Sequence, residues 1–382
     1  MTKKEILRIF LFFILWLLFL SLVSFLADKL FAYKPTFAYA YEFSKYGLSG
    51  FFNKMASFDG VHYLGISENG YLNTGLVQAF FPLYPFLMRM LNVLVNNHLI
   101  SGLLISHFFA LLSFYAFYYL VKMEYKQKIA SWSLVFFALF VSSFYLRSLY
   151  NESLFLTLIF TSLIAGKKKH YLTAGILGAL ASATRVVGIF IWPSLLLMVF
   201  FQDRRKFDAY LDVSLSALGL MAYMLYLQKF FADPLYFFHM QEQFGASRQT
   251  ELVTYPQVVW RYLKIFYTVR PIDWKFYTYV QEFMLSLLAL GGLALASWHN
   301  LKKKIKINWA FLVFAWGSYL LPTLTGNFSS MPRYILVCFP LFIYLAIFLE
   351  KKSWLWRFFY LTISLILLII NLILFTQGYW VA

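Results

Sequence analysis

Long apolar runs separated by short polar segments dominate this sequence. The first run, residues 9–27, has about the ~20 residues that a helix needs to cross the hydrocarbon of a bilayer. No small-x-small cleavage signal follows it, so we interpret it as a helix rather than a removable leader. Further apolar runs cover residues 99–121, 129–146, 153–165, 171–200, 211–231, 279–298, 309–321, 333–349 and 358–377.

The run over residues 171–200 is about 45 Å long as a helix, at ~1.5 Å per residue, and contains Arg185. An arginine at the centre of a bilayer is costly. We therefore predict two short legs that turn near Thr184-Arg185. The pattern then indicates an all-α polytopic membrane protein with about eleven transmembrane helices.

Basic residues occur in short runs between the apolar segments. More than half of the 33 Lys and Arg lie within residues 1–8, 122–128, 166–170, 202–208, 299–308 and 350–357. Cytoplasmic loops of membrane proteins are enriched in such residues. The predicted topology therefore has a cytoplasmic N-terminus, two long extracytoplasmic loops over 28–98 and 232–278, and one integral membrane domain over 1–382.

The first long loop contains a short apolar stretch after Pro82 and Pro85. We predict that residues 86–95 form a helix lying along the outer membrane surface. The alternative is a full span over 79–95, which would place the basic runs at 122–128 and 166–170 outside. The positive-inside pattern favours the surface helix.

Composition excludes several classes of protein. Hydrophobic residues make up 62% of the chain and charged residues 13%, which is incompatible with a soluble domain. The net charge of +17 could suggest nucleic acid, but its carriers are spread between spans rather than gathered on one face. The single cysteine, Cys338, excludes an intrachain disulfide and a cysteine metal site.

Polar groups with catalytic potential gather on the predicted outer face. They come from five separate segments: Asp59, His62, Glu68, Glu152, Arg185, Asp233, Gln241, Arg333 and Tyr334. Joining a sugar to a hydroxyl requires a base for the acceptor proton and cations for a departing phosphate. A carboxylate can act as the base, and an arginine can bind a phosphate through two hydrogen bonds.

Several well-known motifs are missing from the sequence. There is no Asp-x-Asp pair for a metal-bound nucleotide sugar, no P-loop, no His-Glu-x-x-His and no Gly-x-Ser-x-Gly. Soluble nucleotide donors are also expected on the cytoplasmic side. A lipid-linked phosphosugar reached from the bilayer fits the outer face better, and we predict neither a cofactor nor a metal.

The polar blocks resemble, in order, the signature of the mannosyltransferases that add the second mannose in glycosylphosphatidylinositol synthesis, and of their bacterial relatives. The matching blocks span residues 45–345: Phe58-Asp59-Gly60-Val61-His62-Tyr63-Leu64, Gly70-Tyr71, Ala79-Phe80-Phe81-Pro82-Leu83-Tyr84-Pro85, Tyr150-Asn151-Glu152-Ser153-Leu154-Phe155, Ala183-Thr184-Arg185-Val186-Val187-Gly188, Asp233-Pro234 with Gln241, and Met331-Pro332-Arg333-Tyr334.

This resemblance implies a GT-C glycosyltransferase. It implies a polyprenyl-phosphate sugar donor, a glycan or glycolipid acceptor, and an acidic residue of the first outer loop at the catalytic centre. Here that residue is Asp59. The family usually has tryptophan before this aspartate, and Phe58 is a departure from that pattern.

The candidates in the first loop also have simpler interpretations. Asp59 is either the general base or part of an Asp-Gly turn before the surface helix. His62 would lie beside Asp59 on one helical turn, where it either contacts substrate or bonds the loop. Tyr63 either packs or stacks on sugar. Glu68 is a substrate-binding candidate that could instead be solvated.

The later candidates are weighed in the same way. Glu152 either binds substrate or stabilises a helix start through the helix dipole. Arg185 is the preferred phosphate ligand, with a structural ion pair as the alternative, and Arg333 is a second one, with interface anchoring as its alternative. Asp233 more often starts a helix than takes part in chemistry. Gln241 and Tyr334 complete the substrate-binding candidates.

Sugar transfer with inversion at the extracytoplasmic face of the cell membrane is thus the leading hypothesis. Eleven helices could also build a transporter or lipid flippase. That class would place ionisable residues inside spans and show repeated halves, whereas here the polar groups gather on one face. A non-catalytic partner in an envelope-polymer complex is a third reading. The sequence identifies neither the sugar nor the acceptor.

Overall fold

The computed structural model describes residues 1–72, 75, 77–244, 248–269 and 274–381. Parts of both predicted long loops, at 73, 74 and 76 and at 245–247 and 270–273, lie outside the described residues. Within those ranges all regular structure is helical, and the predicted all-α class is confirmed.

The helices in the described ranges vary from a single turn to 28 residues. In chain order they are α1 (Lys3–Leu30), α2 (Gly50–Asn53), α3 (Asp59–Asn69), α4 (Leu83–Val95), α5 (His98–Lys122), α6 (Gln127–Ala138), α7 (Glu152–Lys167), α8 (Tyr171–Ser182), α9 (Ile191–Gln202), α10 (Phe207–Ser214), α11 (Leu218–Phe231), α12 (Tyr236–His239), α13 (Tyr255–Thr268), α14 (Trp274–Leu301), α15 (Trp309–Thr323), α16 (Met331–Val337), α17 (Pro340–Glu350) and α18 (Trp354–Thr376).

The chain forms two compact units. The first contains residues 1–164 and 349–381, so α18 joins α1–α6 and most of α7. The second contains residues 165–348, with α8–α16 and most of α17. Asp59, His62, Tyr63, Glu68 and Glu152 belong to the first unit. The other candidates belong to the second: Arg185, Asp233, Gln241, Arg333 and Tyr334.

In the part of the chain that the structure describes, five helical segments are long and apolar enough to cross a membrane: Lys3–Leu30, His98–Lys122, Phe207–Phe231, Trp274–Leu301 and Trp354–Thr376. A sixth is possible if α16 and α17, bent by 72°, form one broken span. Shorter helices, α6–α9 and α15, occupy the other predicted spans, and each has fewer than the ~20 residues of a full crossing. The protein is a multi-pass membrane protein. The predicted total of about eleven crossings stays a prediction.

The first helix begins at Lys3, six residues before the apolar run predicted at 9–27. The Thr2 side chain accepts a hydrogen bond from the Glu5 amide at 3.3 Å, and the Glu5 carboxylate accepts one from the Thr2 amide at 2.7 Å. This reciprocal capping box satisfies amides that the helix itself leaves unpaired. The same carboxylate accepts hydrogen bonds from Lys122 and Tyr118, and thereby joins α1 to α5.

Two local predictions agree with the structure. The helix predicted over 86–95 is part of α4, which begins at Leu83 and has 13 residues, fewer than the ~20 of a full span. Its position on the membrane surface stays a prediction. The run over 171–200 is two helices, α8 and α9, as predicted. They are interrupted at 183–185 and joined by a short 3₁₀ helix, Val186–Phe190. The predicted turn near Thr184-Arg185 is therefore confirmed.

Candidate functional site

Asp59 is the first residue of α3, in the first unit, and is partly buried. A carboxylate in the first helical turn interacts favourably with the positive end of the helix dipole. The side chain of the preceding residue makes no capping hydrogen bond. Asp59 therefore lies at the start of a regular helix rather than in a flexible turn of the loop 28–98.

The residue before Asp59 has a strained backbone. Phe58 has φ of +60° and ψ of −114°, a conformation that costs a non-glycine residue about 1–3 kcal/mol. Its ring is 8% exposed and packs against Phe37, Phe375 and Trp380, with centroid distances of 4.6, 6.0 and 5.2 Å. Burial of a phenylalanine side chain contributes about 1.5–3 kcal/mol, enough to hold the strained backbone.

Tyr150 holds the other side of this helix start. Its hydroxyl donates to the Ser57 carbonyl at 2.8 Å and accepts from the Asp59 amide at 3.2 Å. The Tyr150 side chain is fully buried, and its partners lie more than 90 residues earlier in the chain. One phenol therefore fixes the backbone on both sides of Phe58.

Close packing reinforces this attachment. The Leu149 amide donates to the Met55 carbonyl at 2.9 Å. A Cβ atom on Gly60 would lie 3.1 Å from the Ala56 Cβ and 3.3 Å from the Leu149 carbonyl oxygen. Only glycine allows this approach without displacement of a neighbour. A side chain at position 60 would therefore need these neighbours to move by a few tenths of an ångström.

His62 lies one turn after Asp59 on α3, as predicted. Its ring stacks on Phe80 with a centroid distance of 5.1 Å and an interplanar angle of 25°. Burial lowers the pKa of His62, and the nearby Asp59 carboxylate opposes that shift. The imidazole is therefore neutral at pH 7 and can accept or donate a hydrogen bond.

Tyr63 and Glu152 are buried in the same unit. Tyr63 is 2% exposed and packs edge-to-face against Phe80, Tyr84 and Tyr150, as its packing interpretation requires. Glu152 begins α7, as predicted, and is completely buried. A buried carboxylate at a helix start gains from the dipole but loses its hydration.

Glu68 lies in a polar cluster at the end of α3. Its carboxylate accepts from the Tyr46 hydroxyl at 2.5 Å and pairs with Lys45 at 2.7 Å. Arg89 of α4 donates to the carbonyls of Ser67 and Glu68 at 2.7 and 2.8 Å. These contacts connect α3 to α4 and to residues 45 and 46, which precede α3 in the chain. They give Glu68 a structural role.

In the second unit, two arginines flank one tyrosine. The guanidinium carbons of Arg185 and Arg248 lie 5.3 and 5.8 Å from the centre of the Tyr334 ring, within cation–π range. Arg248 also donates to the Gln241 side chain at 3.2 Å and to the Ser329 carbonyl at 3.1 Å. The structure thus brings four residues together, and three of them are predicted candidates: Arg185, Gln241 and Tyr334.

A third arginine precedes this tyrosine in the chain. Arg333 is 5% exposed and lies on α16, where its guanidinium is held inside the unit rather than at the surface. Three guanidinium groups thus come from residues 185, 248 and 333 of one unit. Guanidinium groups bind phosphate in a bidentate manner. The arrangement is suited to an anionic group.

Glu282 and Tyr262 hold the turn before α16. The buried Glu282 carboxylate accepts from the Tyr262 hydroxyl at 2.7 Å and from the Ser330 amide at 3.2 Å, and the Tyr262 hydroxyl accepts from the Phe328 amide at 3.1 Å. Ser330 has φ of +65°. These bonds fix a left-handed turn that directs the chain into α16.

Sequence reasoning missed Arg248, Glu282 and the role of Tyr150. Arg248 lies in a polar loop and carries no local signal of its function. Asp233 has a local partner that was also missed: its carboxylate pairs with His239 at 2.6 Å and accepts from the Leu235 amide at 2.9 Å. Among the residues that the structure describes, no group of three His, Cys, Asp or Glu could hold a metal ion.

The fold resembles solved membrane glycosyltransferases. The oligosaccharyltransferase of Archaeoglobus fulgidus, tethered with an acceptor peptide, matches with a TM-score of 0.50 and 13% identity, covering 96% of this chain and 55% of that one. The fold is of the GT-C type. The same protein with an inhibitory peptide and a dolichol-phosphate matches with a TM-score of 0.48 and 13% identity, covering 97% and 56%. This chain spans about half the length of these structures.

No protein-family model matches the sequence, and no curated protein matches it either. The fold is the level at which the likeness holds, because the identity is low. The predicted GT-C-like architecture is therefore confirmed, and the finer family resemblance stays a prediction.

Proposed function

We propose that this protein is a membrane glycosyltransferase that moves a sugar from a polyprenyl-phosphate donor to an acceptor hydroxyl on the extracytoplasmic face. The main support is the GT-C fold together with the position of Asp59. A carboxylate fixed at a helix start by a buried phenol and a strained residue is costly to build. Such strain often accompanies a catalytic position.

In the proposed reaction the acceptor oxygen attacks the anomeric carbon from the side opposite the phosphate. The bond between that carbon and the phosphate oxygen breaks, and polyprenyl phosphate leaves with the electron pair. Asp59 takes the proton of the acceptor hydroxyl. The product therefore has inverted anomeric configuration, and the base shares the helix turn of a neutral His62, which can orient the acceptor through a hydrogen bond.

Arg185, Arg248 and Arg333 are the proposed ligands of the donor phosphate. Their charge would bind the donor phosphate in the ground state, so removal of one guanidinium would weaken donor binding. The Tyr334 ring lies within cation–π distance of two of the guanidinium groups, those of Arg185 and Arg248. Gln241, which accepts from Arg248, would orient that guanidinium.

Mannose is the proposed sugar, because of the resemblance of the sequence blocks. The direct test supplies purified protein in nanodiscs with a glycan acceptor and with polyprenyl phosphates that carry mannose, glucose or galactose, and measures release of polyprenyl phosphate. Asp59→Asn should abolish transfer without a change in thermal unfolding. Asp208→Asn is the matched control, because Asp208 is an exposed acid in the first turn of α10. Retained activity in Asp59→Asn would remove Asp59 from the mechanism.

The arginine cluster has its own test. Arg248→Gln should raise KM for the donor, since it removes one guanidinium from the proposed phosphate site. Arg261→Gln is the control, because Arg261 donates to the Gly326 carbonyl and the Gln249 side chain and lies outside the cluster. Equal KM values for the two variants would exclude Arg248 as a donor ligand.

A further inference from the structure

Helix α13 of the second unit has two apolar faces, and only one of them is packed. Val258 and Tyr262 are buried on the packed face. On the other face Trp260, Leu263 and Tyr267 are 58%, 38% and 92% exposed. Positions 260, 263 and 267 follow the i, i+3, i+7 spacing of one helix face, so the three side chains form a continuous exposed stripe. Exposed apolar side chains that gather in this way mark an interaction surface.

Polar side chains follow one flank of this stripe. Gln257, Arg261, Lys264 and Thr268 lie there at helical spacing, and Gln257, Lys264 and Thr268 are exposed. The helix contains no acidic residue. A helix with one apolar and one polar side, a tryptophan on the first and basic residues on the second, is typical of segments that lie in the plane of a membrane interface.

The packed face of α13 joins it to the beginning of α14. The Tyr262 ring lies 6.1 Å from the Tyr279 ring and 6.0 Å from the Phe283 ring, between centroids. The Phe266 ring lies 6.0 Å from Phe276 and 5.3 Å from Phe283. Buried aromatic contacts of this kind fix the position of α13 on the first turns of α14.

This attachment sets the level of α13 in the bilayer. Helix α14 is long and apolar enough to cross a membrane. Residues 283–298 of α14 carry no charge, whereas Lys275 and Glu282 come before them. Since charged side chains are costly in hydrocarbon, the uncharged part occupies it and the first turns of α14 lie at its boundary with water. Helix α13 lies at the same boundary, where tryptophan and tyrosine are enriched in membrane proteins.

We propose that α13 lies in the head-group region of the bilayer, with Trp260, Leu263 and Tyr267 directed into the lipid. These side chains enter the boundary of head groups and acyl chains to a depth of about 5–10 Å. The polar flank faces water. Lys264, whose Nζ lies 5.5 Å from the centre of the Trp260 ring, extends its charge to the lipid phosphates. A lysine beside the stripe fits a lipid surface better than a protein partner, because lysine is depleted from protein interfaces.

The lipid contact also fixes the turn before α16. Arg261 donates to the Gly326 carbonyl at 3.1 Å, and the Tyr262 hydroxyl accepts from the Phe328 amide at 3.1 Å. A helix held in the interface therefore holds this turn close to the membrane surface. The placement of α13 does not depend on the proposed sugar transfer.

Spin labels on the full chain in phosphatidylcholine nanodiscs test the proposal. The single cysteine is removed by Cys338→Ala, and labels are then attached through Leu263→Cys or Tyr267→Cys on the stripe. Gln257→Cys and Thr268→Cys on the polar flank are the matched controls. All four positions are exposed, so a label displaces no packed side chain. Power saturation measures collisions with oxygen, which is concentrated in lipid, and with a water-soluble nickel chelate. The ratio of oxygen to nickel collisions should be several times higher at 263 and 267 than at 257 and 268.

Two results would overturn the proposal. Equal ratios at the four positions would show that the stripe faces water. Low collision rates with both reagents at 263 and 267 would show that protein covers it, either a second copy of the chain or another partner. If Cys338→Ala does not fold, the same four variants are labelled with Cys338 in place, because its thiol is fully buried and does not react with the label in the folded chain.

Discussion

Tyr150→Phe removes a single oxygen atom that holds the start of α3. In the native protein this hydroxyl donates to the Ser57 carbonyl at 2.8 Å and accepts from the Asp59 amide at 3.2 Å. The ring that carries it is fully buried among aromatic neighbours. The substitution leaves the ring packing in place and removes these two hydrogen bonds.

The expected cost follows from these two bonds. Each contributes about 0.5–1.5 kcal/mol net, so the free energy of unfolding should fall by roughly 1–3 kcal/mol. Water cannot easily replace the hydroxyl, because the site is buried. The strained Phe58 would then be free to relax, and Asp59 would shift with it. A misplacement of about 1 Å in a reacting group costs up to about 100-fold in rate, so transfer should fall by tenfold or more.

Tyr84→Phe is a closely matched control. Tyr84 is equally buried, and its hydroxyl also makes two hydrogen bonds, to the Gly102 carbonyl at 3.1 Å and to the Ser106 hydroxyl at 2.8 Å. It does not touch the backbone at Ser57 or Asp59. Both variants should lose similar stability, measured by thermal unfolding in detergent. Only Tyr150→Phe should lose transfer, measured with the polyprenyl-phosphate panel at a temperature where both are folded.

Equal losses of transfer in the two variants would refute this reasoning. They would show that the Tyr150 hydroxyl contributes to stability alone and that the position of Asp59 does not depend on it. Full activity in Tyr150→Phe, with the predicted fall in stability, would refute the catalytic part and keep the structural part.

Three further predictions concern α3 and the turn before α16. Gly60→Ala should destabilise the protein by about 1–3 kcal/mol in thermal unfolding, since its Cβ would crowd Leu149, whereas Gly50→Ala, with open space around it, should not. Glu282→Gln should lower the free energy of unfolding by about 1–3 kcal/mol in the same assay. Either the Tyr262 hydroxyl or the Ser330 amide would then face the NH₂ group of the glutamine and lose its acceptor. Burial lowers the pKa of His62 in the folded protein, so as pH decreases the unfolded chain takes up a proton at this residue before the folded chain does. The free energy of unfolding should therefore fall as pH decreases below about 6.5. His62→Gln should reduce that loss; an identical pH profile in this variant would contradict it.

Much of the fold follows from local patterns. A capping box starts α1, proline residues precede α4, and a costly arginine explains why the run at 171–200 breaks into α8 and α9. Each of these depends on residues within a few positions of one another, so the sequence predicts them directly. The number of membrane crossings is harder, because several helices are shorter than a full span and length then no longer decides whether they cross.

Part of the candidate site was also predictable. The spacing of Asp59 and His62 places them on one helical turn, as the structure has them. Arg185 and Tyr334 were predicted as substrate-binding residues from the sequence blocks that contain them. The structure brings the Arg185 guanidinium to 5.3 Å from the centre of the Tyr334 ring. Arg248 could not be predicted, because nothing near it in the chain distinguishes it from other loop arginines. Its contact with Ser329 joins residues 81 positions apart.

By itself, the sequence determined that this is an all-helical membrane protein with a carboxylate and a histidine on the first turn of one helix. The physical reason is that hydrophobic periodicity, capping and chain spacing act over a few residues. The tertiary structure alone decided that Tyr150 positions Asp59 from 91 residues away and that Glu282 fixes the turn before Arg333. Such contacts depend on how whole helices pack, and helix packing is a property of all their side chains together rather than of any local stretch.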